Sequence, residues 1–117
     1  MAQFVDGFVI PIRKQNLAAY RRLALAASKV WRDHGALEYR ECAGEDIKAA
    51  GGFPRQLKLK RGETVIFAWI VYKSRAHRDR VNAKVMNDPR MKRMMTTPMP
   101  VDMKRMSYGG FKVIVDL

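Results

Sequence analysis

Residues 63–72 read Glu-Thr-Val-Ile-Phe-Ala-Trp-Ile-Val-Tyr, and this run decides the fold. Strand alternation puts Val65, Phe67, Trp69 and Val71 on one face and Ile66, Ala68, Ile70 and Tyr72 on the other. Both rows are apolar, so the strand belongs at the centre of a sheet and is covered on both sides. A second strand is expected at 3–13. Phe4, Phe8, Ile10 and Ile12 share one of its faces, and Val5 and Val9 share the other. Pro11 falls near its end, where a missing backbone donor does least harm.

The segments around these two strands complete the plan. Over 14–34, Leu17, Tyr20, Ala24, Ala27, Trp31 and His34 recur at steps of three and four, which is one stripe of a long helix. Gly35 follows as a left-handed stop. A more polar strand, 36–43, suits a sheet edge, where scattered charges discourage stray pairing. Residues 44–61 read as a long glycine-rich connection with a basic end, part of it a hairpin arm. Ser74 opens a helix over 74–88 as its N-cap, and Asp88-Pro89 breaks it. One more short helical turn fits 90–95, a loop fits 96–100, and the last strand is read at 106–116.

The order is therefore β-α-β-β-α-β. Right-handed crossovers favour a ferredoxin-like α+β plan, a four-stranded antiparallel sheet with two helices on one face and the first and third strands in the centre. One domain is expected over 1–117. Both helices cover the same sheet face, so the other face exposes one row of each central strand. A monomer seldom leaves so large an apolar patch in water. A two-fold homodimer burying sheet against sheet is the expected remedy, with the 44–61 segment folded over that face as the alternative.

Composition narrows the classes. Hydrophobic residues make up 48% of the 117, enough for a packed core. No stretch approaches the roughly 18 consecutive apolar residues of a membrane span, so no membrane partner is expected. The N-terminus has no basic region and carries Asp6 inside its first apolar run, unlike a secretory signal. A single cysteine, Cys42, fits a reducing cytoplasm and is read as partly buried and inert. The net charge of +12 is lopsided: residues 1–51 carry 8 basic and 6 acidic side chains, residues 52–117 carry 15 and 5. Such a field attracts polyanions.

Several strings resemble the YbaA-like bacterial family, a domain of unknown function. They are Val5-Asp6-Gly7-Phe8-Val9, Gly35-Ala36-Leu37 with Glu41-Cys42, Phe67-Ala68-Trp69-Ile70 with Tyr72 and Ser74, and Asn87-Asp88-Pro89-Arg90-Met91. The closing Met99-Pro100, Asp102, Lys104-Arg105-Met106 and Tyr108-Gly109-Gly110-Phe111 is the most specific. Val101 stands where that pattern has an aromatic residue, and Met103 where it has glycine. The resemblance implies a dimeric α+β-barrel arrangement. It supplies no reaction, although the wider structural group includes cofactor-independent monooxygenases.

For function, the sequence supports a small-molecule-binding dimer with its cavity between helices and strands. The candidate lining is Asp6, Trp31, Trp69, Asp102 and Tyr108. Asp6, inside a central strand, is the most suggestive: if it faced a cavity, desolvation would make it a candidate base. The plainer reading puts it near water or beside Lys104 or Arg105. One alternative is a cofactor-independent monooxygenase-like enzyme. The other is a nucleic-acid-associated protein using Arg75, Arg78, Arg80, Arg90, Lys92 and Arg93, a stretch without the aromatic interleaving of single-strand binders. No cofactor is called for. No metal is expected either, because His34 reads as a helix-end residue and His77 as a surface one.

Overall fold

The computed structural model describes residues 2–117. Strands β1 (Phe4–Arg13), β2 (Glu38–Ala43), β3 (Glu63–Tyr72) and β4 (Ser107–Lys112) form one antiparallel sheet in the order β2-β3-β1-β4. Helices α1 (Leu17–Asp33), α2 (Phe53–Gln56), α3 (Arg75–Met86) and α4 (Pro89–Met94) connect them, with 3-10 turns at Lys14–Asn16 and Met103–Arg105. The chain thus has the ferredoxin-like order expected of it, with β1 and β3 in the centre.

Those two strands pair along their whole length, from Phe4 opposite Tyr72 to Arg13 opposite Glu63. This register places Phe8, Ile10, Ile66, Ala68 and Ile70 on the face beneath the helices. There Ile10, Ile12 and Tyr20 pack with Ile66 and Ala68, and Val30, Ala36, Ile70 and Tyr72 pack with Val81, Val85 and Met91. Complete burial of side chains such as Val30 and Val85 contributes roughly 1.5–3 kcal/mol each.

The opposite face carries Val5, Val9, Phe67, Trp69, Val71 and Phe111. Val65 and Pro11 at one end of it are buried, but Phe67 is 48% and Phe111 60% exposed. The 44–61 segment therefore does not close this face. Instead of a hairpin arm it contains the single turn α2, opened by Pro54 in its first turn.

Element ends differ from the sequence reading for local reasons. Gly35, at φ 109°, turns the chain so sharply that Ala36 drops into the core and β2 begins at Glu38. The last strand stops at Lys112 because its partner β1 begins at Phe4; one further bond, Val113 N–H to Gln3 O, ends the pairing. Asp88 breaks α3 and also starts α4, its carboxylate accepting from the Arg90 N–H at 2.8 Å. No helix among the described residues is long and apolar enough to cross a membrane.

Candidate functional site: an apolar cavity with a tyrosine-bound carboxylate

Between α1, α4, the 95–106 loop and the sheet lies a cavity of about 400 Å³. Its floor is Phe8, Ile10, Ala68 and Ile70. One wall is the stripe of α1, namely Tyr20, Ala24, Ala27 and Trp31. The other is methionine-rich, with Met91 and Met94 from α4 and Met95, Met99, Met103 and Met106 from the loop. The void follows from residue size: Ala24, Ala27 and Ala68 withdraw their side chains where larger ones would interdigitate. Met95, Met99 and Met103 are substantially exposed and form its rim. Unbranched thioether chains repack easily, so this wall adapts to shape.

One polar cluster interrupts the lining, apart from Arg40 and the rim residue Thr97. Tyr39 and Glu41 alternate with Glu38, Arg40 and Cys42 along β2 and so face the helices. The Tyr20 hydroxyl of α1 donates to Glu41 Oε1 at 2.6 Å, and the Tyr39 hydroxyl donates to Oε2 at 2.8 Å. Burial, then the neighbouring Glu41, pushes both phenols well above the usual tyrosine range, so they remain donors. Among the described residues Glu41 has no ion-pair partner. Trp31 donates its indole N–H to Asn82 at 3.1 Å, which fixes the ring at the cavity wall. Beyond Tyr20 and Glu41 lies a second groove, lined also by Leu17, Arg21, Leu25, Ser28 and Ile66.

A family model described as "Protein of unknown function (DUF1428)" matches residues 3–103. The chain is 40% identical over 116 residues to the "Uncharacterized protein YbaA" of Escherichia coli (strain K12), and equally to that of Shigella flexneri; the match spans 97% of this chain and 98% of theirs. The chain belongs to the DUF1428 family. Among solved structures, the DUF1428 chain is similar to a dimeric ferredoxin-like protein from an uncultured marine organism. The TM-score is 0.59 at 13% identity, over 100% of both chains. It is also similar to a NIPSNAP-family protein with unknown function from Agrobacterium tumefaciens, with a TM-score of 0.61 at 14% identity, over 96% of this chain and 88% of that one. These likenesses show the shared ferredoxin-like fold.

In this DUF1428 chain the five residues singled out from sequence do not meet in one place. Trp31 lines the cavity. Trp69 borders it through the floor, while its indole N–H donates to Glu38 on the opposite face at 2.9 Å. Asp6 is buried on the helix side but is held by Arg78, not by Lys104 or Arg105: Arg78 Nη1 lies 2.6 Å from its carboxylate, and the guanidinium sits 4.7 Å from the Phe4 ring centre. Asp102 caps the 103–105 turn by accepting from the Lys104 N–H at 3.0 Å. It stands between Val101 and Met103, which do line the cavity and are the two departures from the resembled pattern. Tyr108 stacks on Phe8 with ring centres 6.2 Å apart and is 72% exposed.

Of the basic candidates, Arg78 is engaged by Asp6 and Asp79, and Arg90 by Asp33 and Asp88. Arg75, Arg80, Lys92 and Arg93 are exposed. His34 follows the end of α1 and bonds Asp88 at 2.8 Å, and His77 Nδ1 accepts from the Lys73 N–H. Cys42 is exposed rather than partly buried, because it faces the uncovered side of an edge strand. Sequence reading passed over Tyr20, Tyr39 and Glu41 as a group. Two signals were present: Tyr20 lies in the inward stripe of α1, and Tyr39 and Glu41 share one face of β2.

Proposed function

We propose that this chain is a small-molecule-binding protein that works as a homodimer, its ligand held in the cavity between α1, α4 and the sheet. The observation that carries this reading is the cavity's make-up: an apolar enclosure with one cluster of convergent polar groups. Its volume falls in the range of ligand sites, roughly 300–1,000 Å³. A ligand's apolar body would gain about 25 cal/mol for each Å² removed from water, and the Tyr20–Glu41–Tyr39 cluster would set its orientation. The dimer reading rests on the open sheet face, where Phe67 and Phe111 stand exposed beside Val5, Val9 and Trp69. A ferredoxin-like neighbour described as dimeric supports it.

The test is a titration with the neutral fluorescent probe N-phenyl-1-naphthylamine. Wild-type protein is expected to bind it saturably, at one site per chain. Ala27→Phe, which fills the middle of the α1 wall, is expected to weaken binding about tenfold or more while the melting temperature holds or rises. Equal probe binding by both proteins would refute the cavity as the ligand site.

A further inference from the structure

The polar endowment of the cavity has a sign. Both phenolic hydrogens that reach it are spent on Glu41, and the Trp31 N–H is spent on Asn82. The remaining lining hydroxyl, that of Thr97, sits on the exposed rim. Arg40 borders the site along β2, but its guanidinium bonds Glu38 on the far face. Arg21 lines the adjoining groove and makes no ion pair with Glu41 among the described residues. A carboxylate has about four acceptor positions, and the tyrosines fill two of them. The interior therefore offers acceptors and a negative charge, while the side-chain donors of Thr97, Arg40 and Arg21 lie at its edges. A carboxylate or phosphate in the ligand would meet like charge at Glu41.

We infer that the ligand is an organic amine: a protonated ammonium head seated against Glu41, with an apolar body lying along Ala24, Ala27 and the methionine wall. This rests on the cavity reading above. An ammonium and a hydroxyl would both make charge-assisted hydrogen bonds to the carboxylate, but the ammonium adds the attraction of opposite charges and two further donors, so it outranks a hydroxyl of the same shape. Trp31 and Tyr39, with ring centres 6.0 Å apart at the cavity wall, add faces that attract a cation. The arrangement also runs against the charge of this molecule, which carries net +12 yet places in this apolar recess a carboxylate with no ion-pair partner among the described residues.

The experiment displaces N-phenyl-1-naphthylamine from wild-type protein with n-octylamine, n-octanol and n-octanoate at pH 7.5, where the amine is protonated. Octylamine is expected to compete about tenfold or more better than octanol, and octanoate worst. In Glu41→Gln, which keeps the size and one acceptor oxygen but removes the charge and introduces an amide donor, the advantage of amine over alcohol is expected to vanish. Equal competition by amine and alcohol in wild type, a lead for octanoate, or an amine preference that survives Glu41→Gln would overturn the inference. If Glu41→Gln does not fold, the wild-type series decides alone. Failure of the probe itself to bind removes the cavity reading and this inference with it; a bound probe with no head-group preference removes this inference alone.

Discussion

At Gly110 an added Cβ would lie 2.6 Å from Cζ of the buried Phe4 ring and 3.1 Å from Nη1 of Arg78. The ring belongs to the core beneath β1 and cannot swing clear. Gly110→Ala is therefore expected to cost about 1–3 kcal/mol, read as a lower urea midpoint with an unchanged slope; a midpoint equal to wild type would contradict the packing described. The same corner holds the Asp6–Arg78 pair. Asp6 was conspicuous in the sequence because an acid in an apolar strand needs an explanation. Its partner was not legible, since Arg78 comes from α3, 72 positions away, and its position depends on how that helix crosses the sheet. The same limit hid the Tyr20–Glu41–Tyr39 cluster: each residue was ordinary in its own element, and only the packing of α1 over the edge strand made them a group.

The ends of α1 and α4 are tied by Asp88, which caps α4, bonds His34 past the last turn of α1 and pairs with Arg90. Those hydrogen bonds, Arg90's foremost, hold its carboxyl far below the usual aspartate range. In the unfolded chain the group takes up its proton near pH 3.9. Its contribution is thus complete above that value and drains away as the pH falls toward the folded one. Urea midpoints of wild type and Asp88→Asn should differ clearly at pH 7 and converge below about pH 4; a gap that stays constant to pH 2 would show that the charge does not matter. At this scale the sequence was readable where a period repeats. The three-and-four spacing of Tyr20, Ala24, Ala27 and Trp31 identified the inward face of α1. Periodicity shows which side turns inward but not how much space it meets, so a stripe of which only Trp31 was expected at a cavity proved to be one whole wall of it. The 44–61 segment, without a period, concealed the single turn α2.

For the whole molecule, strand order was legible because β3 is apolar on both faces and β1 nearly so, and only central positions suit such strands. What covers the open face was not, because one chain's pattern marks a surface as greasy without naming its cover. The proposed homodimer has a direct check. Phe67, at the middle of that face, becomes a buried charge in a sheet-to-sheet dimer when changed to glutamate. Wild type should sediment as a dimer at micromolar concentration and Phe67→Glu as a folded monomer; a monomeric wild type, or a dimer indifferent to the change, would leave the face unexplained. Strand β2 serves this whole-molecule plan twice over, with Tyr39 and Glu41 turned toward the cavity and Glu38, Arg40 and Cys42 toward the open face. Its six residues are consequently more sensitive to counting than to chemistry. Losing a single residue between Glu38 and Cys42 would invert every side chain beyond the deletion, trading interior for exterior and disabling two surfaces in one event.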